Sequence, residues 1–152
     1  MGQEWGILFK DFGIAASLGL AAAGSALGTG YAAMSAVGAM KKCFAQSKKV
    51  PFVLFLALIG APLTQLFYGF ILSNKMAEAL AGHYLLGMGI FGGLAMGASA
   101  MMQGKAAAGA CDAVGETGKG FGNFLIILGI IETVALLVMI FMMLKVDALM
   151  GK

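Results

Sequence analysis

A single carboxylate lies inside a long apolar run near the end of this sequence. Glu132 interrupts the segment GIIETVALLVMIFMML (129–144), in which the only other polar side chain is that of Thr133. A charged acid at the centre of a bilayer costs about 2.5–3.5 kcal/mol on insertion scales, and such residues are usually functional. Glu132 is therefore the first candidate for a group that binds or carries a cation.

Two glutamines lie at a similar depth in two other apolar runs. We place the ends of the runs that share one membrane face near residues 50, 113 and 120. At 1.5 Å per residue, Gln65, Gln103 and Glu132 then lie roughly 15–23 Å into the membrane, close to its middle. Because glutamine does not titrate, the two amides are better suited to bind an ion than to relay a proton.

These groups together suit a small hard cation. Thr64 adjoins Gln65, and Tyr68 lies one helical turn further on. One carboxylate, two amide carbonyls, a hydroxyl and a backbone carbonyl freed by Pro62 would offer sodium about five oxygen ligands. The alternative is simple packing, because a polar side chain in a membrane helix often only joins two helices, worth about 0.6–2 kcal/mol. That alternative is stronger for Thr64 or Tyr68 alone than for both glutamines together.

The composition indicates a membrane protein. Of the 152 residues, 61% are hydrophobic and only 11% are charged, which is more apolar surface than a soluble domain of this size can bury. Four runs are long enough to cross a bilayer, at about 12–40, 50–74, 84–111 and 121–144. The sequence therefore predicts an all-α membrane protein with four transmembrane helices. It contains no basic stripe, nucleotide motif or nucleophile constellation, so we expect no nucleic-acid binding and no ATP hydrolysis by this chain.

The sequence also contains a weak internal repeat. Residues 24–38 align with residues 98–112 at an offset of 74, with six of fifteen positions identical. The second and fourth runs align at an offset of 69, which places Leu63 opposite Glu132 and Thr64 opposite Thr133. These matches predict a duplicated helical hairpin, with the first copy in 1–76 and the second in 77–152. One carboxylate then serves four helices.

The lysines predict an orientation in the membrane. Four of them crowd the first loop and Lys119 lies in the third, at positions 41, 42, 48, 49 and 119. Because short cytoplasmic loops are rich in lysine, we expect both loops in the cytoplasm and both termini outside.

Lys105 is a second charged residue within the apolar runs. Lys105 lies two positions after Gln103, about 200° around the helix, so we expect it to point away from the site rather than neutralise Glu132.

Small residues recur every three or four positions in the first and third runs, for example at Gly24 and Gly28 and at Gly97 and Gly104. Such stripes allow close helix approach, as in the inner layer of a ring or in an ordinary bundle.

The chain resembles the rotor-ring proteolipid of V-type ATPases. Within that family it is most similar to the sodium-translocating bacterial type. The motifs that carry the resemblance are PLTQLFYGF (62–70), MMQGKAAAG (101–109) and IIETVALL (130–137). The resemblance implies a non-catalytic protein of the cell membrane that forms a ring with identical copies. Such a ring turns against a membrane stator and is driven by ATP hydrolysis through central-stalk subunits.

The resemblance also implies roles for individual residues. Glu132 would carry the ion, and Tyr68 would hold the glutamate through a hydrogen bond. The remaining ligands would all be neutral oxygens, from Thr64, Gln65, Gln103 and the backbone carbonyl of Ala61.

Other functions use similar features. A proton-translocating ring would use the same glutamate, but the set of neutral oxygens favours Na⁺ over H⁺. Small multidrug exporters also have four helices and one buried acid, yet they usually carry it in the first helix and need no duplicated hairpin. A structural scaffold would leave Glu132 unexplained.

Overall fold

Four long helices make up the part of the chain that the structure, a computed structural model, describes, namely residues 2–79 and 83–151. Helix α1 spans Gly2–Ala45. The second span comprises α2 (Phe52–Gly60), a 3-10 turn (Ala61–Leu63) and α3 (Thr64–Glu78). Helices α4 and α5 span His83–Thr117 and Phe121–Leu149. All four spans are long and apolar enough to cross a membrane, and the described residues form no strand, which confirms the predicted fold class.

The helices extend beyond the apolar runs that predicted them. Helix α1 begins at Gly2 rather than near residue 12 and ends at Ala45 rather than near residue 40, and α4 continues to Thr117 rather than ending near residue 111. Charged side chains occupy the adjoining ends of α1 and α4. The Lys42 ammonium lies 2.8 Å from Asp112 and 2.9 Å from Glu116. Hydropathy therefore marked the embedded parts of the helices, whereas their polar ends are held by contacts between helices.

Pro62 changes the geometry in the middle of the second span. Proline has no backbone N–H to donate and its ring crowds the preceding turn, so a regular α-helix cannot pass through it unchanged. The chain tightens here into the 3-10 turn, and the Thr64 N–H donates to the carbonyl of Ala61. The turn brings the Ala61 carbonyl and the Thr64 side chain next to each other.

Helices α1 and α4 make the most extensive contact in the molecule. They run parallel, and Gly24 packs on the backbone of Gly97 just as Gly28 packs on that of Gly104. A Cβ atom at any of these four positions would overlap the opposite backbone or, at Gly97, lie 2.5 Å from the Leu20 carbonyl oxygen. The small-residue stripes therefore do allow these two helices to approach closely.

Helices α3 and α5 pack onto this pair and complete the bundle. Two clusters of buried apolar side chains result, one on each side of the mid-membrane level. Along each of three spans a polar residue lies between a member of one cluster and a member of the other: Gln65 between Leu58 and Leu72, Gln103 between Met96 and Ala107, and Glu132 between Leu128 and Ala135. The polar layer is thus enclosed by apolar packing above and below.

Candidate ion-binding site

Glu132 lies eleven residues after the start of α5, about 17 Å along the helix axis. Its carboxylate accepts hydrogen bonds from two other helices. The Tyr68 hydroxyl donates to Oε1 over 2.6 Å, and the Gln103 Nε2 donates to Oε2 over 3.3 Å. Both carboxylate oxygens are therefore positioned by neutral donors of the bundle.

The two glutamines link three spans to one another. Both are fully buried, with 0% of each residue exposed. The Gln65 Nε2 donates to the Gln103 Oε1 over 2.8 Å, and the Gln103 Nε2 also donates to the carbonyl of Leu128 over 3.0 Å. Because a buried amide without partners is costly, this mutual pairing accounts for the presence of both side chains in an apolar interior.

Thr64 connects the glutamine pair to the 3-10 turn. Its Oγ1 lies 3.0 Å from the Ala61 carbonyl oxygen and 3.2 Å from the Gln65 Oε1. A hydroxyl has a single proton, so it donates to one of these two acceptors at a time. The Ala61 carbonyl, the Thr64 hydroxyl and the Gln65 carbonyl thus form a short row of neutral oxygens.

The structure brings every residue of the predicted site into one polar network, in which neighbouring groups lie within hydrogen-bond distance of one another and which comprises Ala61, Thr64, Gln65, Tyr68, Gln103 and Glu132. The network offers one carboxylate together with amide, hydroxyl and backbone oxygens, which are the ligands that hard cations prefer. That these groups bind sodium remains a prediction.

The charge of Glu132 has no positive partner in the described ranges 2–79 and 83–151. The ion pairs there lie near the ends of the helices, and they join Lys42 to Asp112 and Glu116, and Lys75 to Glu78 and Asp147. A carboxylate without a countercharge is expensive in hydrocarbon, so Glu132 requires a bound cation or a proton when it faces lipid.

Lys105 points away from this site. Its side chain is exposed, and its ammonium lies 5.6 Å from the centroid of the Tyr31 ring on α1. A cation at this distance over an aromatic face is attracted by the ring. The prediction that Lys105 points away from the glutamate site is confirmed, and its partner there is Tyr31.

Two further groups support the site and were missed from the sequence. The Ser99 hydroxyl donates to the carbonyl of Ile131 over 2.8 Å, and the Leu128 carbonyl accepts from Gln103. Ser99 lies four residues before Gln103 and therefore on the same helix face, so its spacing was an available signal. No residue type signals the role of the Leu128 carbonyl.

The repeat partners of two site residues lack these interactions. Ser25 and Thr29 correspond to Ser99 and Gln103 at the offset of 74. Their buried hydroxyls have no hydrogen-bond partner among the described residues. The six residues of the polar network therefore lie in the second span, α4 and α5, and none of them lies in α1.

The fold defines a multi-pass membrane protein, and in its described residues the Glu132 carboxylate lies at mid-span without an ion-pair partner. Residues 86–145 match the family of the ATP synthase C subunit. The matched segment includes most of α4 and α5, and with them Gln103 and Glu132. No curated protein matches the chain.

Proposed function

We propose that this protein is the ion-carrying rotor-ring subunit in the membrane sector of a V-type ATPase, and that it binds Na⁺ at Glu132. One observation carries the proposal. The Glu132 carboxylate has no countercharge among the described residues, yet it accepts hydrogen bonds from Tyr68 and Gln103, and Gln103 links it in turn to the neutral groups of Gln65 and Thr64. The similarity of residues 86–145 to the ATP synthase C subunit supports the rotor role.

The site residues have distinct parts in this function. Glu132 neutralises the ion, and Gln65, Gln103, Thr64 and the Ala61 carbonyl supply oxygen ligands. Tyr68 donates to the Glu132 Oε1 over 2.6 Å and so holds the carboxylate within the bundle. The loaded site is electrically neutral, which allows it to pass lipid as the ring turns. At the stator the ion leaves and the exposed carboxylate takes up another.

The duplicated hairpin favours a V-type ring, because four helices share one carboxylate. The partners are identical subunits, a membrane stator and central-stalk subunits, and ATP is hydrolysed elsewhere in the complex. The lysine-rich loops face the cytoplasm and both termini lie outside, as the distribution of lysines predicts.

A proton-translocating ring is the second candidate, because a proton would also neutralise Glu132. It needs only one acceptor, whereas the polar network that includes the carboxylate also includes four neutral oxygens, those of Ala61, Thr64, Gln65 and Gln103. This excess of oxygens favours sodium. A multidrug exporter accounts for neither the duplicated hairpin nor the match of residues 86–145.

Carbodiimide labelling tests the sodium site directly, because these reagents attack protonated carboxyl groups. We expect saturating sodium chloride to slow modification of Glu132 at least about tenfold relative to choline chloride, since the bound ion competes with the proton. Peptide mass spectrometry resolves the modified residue.

Asp112 is the internal control in the same sample, because its side chain is 52% exposed and pairs with Lys42 far from the site. Its labelling should not depend on sodium. Absence of protection at Glu132 at every pH would make the proton ring the better answer.

The substitution Tyr68→Phe tests the hydrogen bond to the glutamate. A hydrogen bond to a charged group contributes about 1.5–3 kcal/mol, so its loss should raise the sodium concentration for half-protection about tenfold or more. Tyr84→Phe is the matched control, because Tyr84 is 73% exposed on α4 and lies far from Glu132 in the bundle. An equal shift in both variants would show that Tyr68 has no specific role.

A further inference from the structure

Two buried hydroxyls of α1 have no protein partner in the part of the chain that the structure describes. Ser25 is 1% exposed, and neither its Oγ nor the buried Oγ1 of Thr29 forms a hydrogen bond there. By contrast Ser17, two turns before Ser25 on the same helix face, donates to the Gly69 carbonyl over 3.3 Å. An unpaired hydroxyl in an apolar interior is costly, so Ser25 and Thr29 call for a hydrogen-bonding ligand.

Ser25 faces the second span next to its proline turn. A Cβ atom added at Gly69 would lie 2.6 Å from the Ala21 Cβ, and one added at Gly28 would lie 2.9 Å from the Pro62 Cβ. These two contacts show that α1 and the second span run antiparallel. Ser25 lies one turn after Ala21 and three residues before Gly28, so it faces the second span between the two contacts.

The second span offers an acceptor at this level. Proline has no backbone N–H, so Pro62 donates nothing to the carbonyl four residues earlier, which is that of Leu58. Thr29 lies one helical turn after Ser25 and directly after Gly28, at the level of Pro62. Two hydroxyls, each able to donate and to accept, thus lie across from a carbonyl that lacks its helical donor.

The internal repeat shows how the second hairpin fills the equivalent place. At the offset of 74, Ser25 and Thr29 correspond to Ser99 and Gln103. Ser99 donates to a carbonyl of α5, and the amide of Gln103 reaches the Leu128 carbonyl. The threonine side chain is smaller and shorter than that of glutamine, so Thr29 does not span the same gap. The difference in size leaves space for about one water molecule.

We propose that a water molecule is bound between α1 and the second span, where it takes the place that the Gln103 amide has in the second hairpin. The hydroxyls of Ser25 and Thr29 form hydrogen bonds with it, and it donates to the Leu58 carbonyl. A buried water typically makes about three hydrogen bonds, which these groups supply. The water thereby joins α1, which contributes no residue to the polar network, to the turn that contains the Ala61 carbonyl.

A structure of the full protein at a resolution that shows ordered water tests the site directly. We expect a density peak about 2.5–3.2 Å from both hydroxyl oxygens, at Ser25 and Thr29. Absence of this peak would overturn the proposal. The two hydroxyls would then have to donate to carbonyls of their own helix.

Thermal unfolding gives a test in which the sign decides. Ser25→Ala and Thr29→Val each remove one hydroxyl with little change in shape. With water bound, each variant removes one of its hydrogen bonds, so the midpoint should fall by about 2–4 °C. In a dry interior the same variants remove an unpaired hydroxyl, so the midpoint should stay or rise, and either result would overturn the proposal. Circular dichroism of the full chain in mild detergent measures the midpoint.

Ser35→Ala is the matched control, because the Ser35 hydroxyl donates directly to the Ala108 carbonyl over 2.6 Å on the same helix. Its loss should lower the midpoint whether or not water is bound near Ser25, which shows that the assay detects one lost hydrogen bond.

Thr29→Gln tests the space itself. The longer amide should replace the water, as Gln103 does in the second hairpin, so the midpoint should stay within about 2 °C while the density peak disappears. A larger fall than in Thr29→Val would show that the site has no room for water and would overturn the proposal. The proposal stands whichever ion Glu132 carries, because neither hydroxyl belongs to the polar network.

Discussion

Replacement of Glu132 by glutamine is expected to abolish ATP-driven sodium transport, with a loss of at least about 100-fold, while the subunit still folds. The amide cannot alternate between a charged and a neutral state, so it neither captures the ion nor releases it. Its carbonyl oxygen still accepts the hydrogen bond that Tyr68 donates to the Glu132 Oε1. Sodium uptake into vesicles that contain the whole ATPase measures the effect.

Glu132→Asp is the matched control, because it keeps the charge but shortens the side chain by one methylene. We expect residual transport with weaker sodium binding. In the unmodified protein the half-saturating sodium concentration should rise as pH falls, approaching about tenfold per pH unit where protons dominate the competition. Transport by the glutamine variant at the unmodified rate would refute the role of Glu132, and a pH-independent sodium affinity would refute the competition.

Gln103→Ala should have the second largest effect and weaken sodium affinity about 10- to 100-fold. Gln103 is fully buried and contacts Glu132, Gln65 and the Leu128 carbonyl, so its removal deletes a proposed oxygen ligand and loosens the carboxylate. The change strands no charge, but it leaves the amide of Gln65 with one partner fewer at a cost of about 1–3 kcal/mol. The subunit should still fold and assemble.

Lys105→Ala on the same helix is the control for Gln103. Its ammonium interacts with Tyr31 and its side chain is exposed, so sodium affinity should change less than about twofold. The sodium concentration for half-protection of Glu132 provides one measurement for both variants. Equal losses of sodium affinity in the two variants would mean that the face of α4 with Gln103 and the face with Lys105 are not functionally distinct.

The sequence was sufficient to predict the class of fold and the members of the candidate site. Long apolar runs specify membrane helices because the bilayer fixes the length that a helix must have. Glu132, Gln65 and Gln103 stand out because polar groups are expensive in hydrocarbon and are therefore rare there. Their common depth follows from the fixed rise of the α-helix.

Helix boundaries were less predictable. The sequence placed the first run at about 12–40, whereas α1 spans Gly2–Ala45. The polar extension at its end is held by the ion pairs of Lys42 with α4. Hydropathy reflects the free energy of transferring a side chain from water into lipid. It therefore carries no information about ion pairs that form outside the bilayer.

Only the tertiary structure decided which helices are neighbours and how their side chains are paired. Helix α1 packs most closely on α4, far away in sequence, because glycines such as Gly24 and Gly97 let the two backbones meet. That contact sets the rotation and register of the helices. A hydrogen bond between helices forms only when the rotation and the register together bring donor and acceptor to the required distance and angle. The amide of Gln103 therefore meets the Leu128 carbonyl, and Ser99 meets the Ile131 carbonyl, for reasons that residue types and their spacing along one helix do not contain.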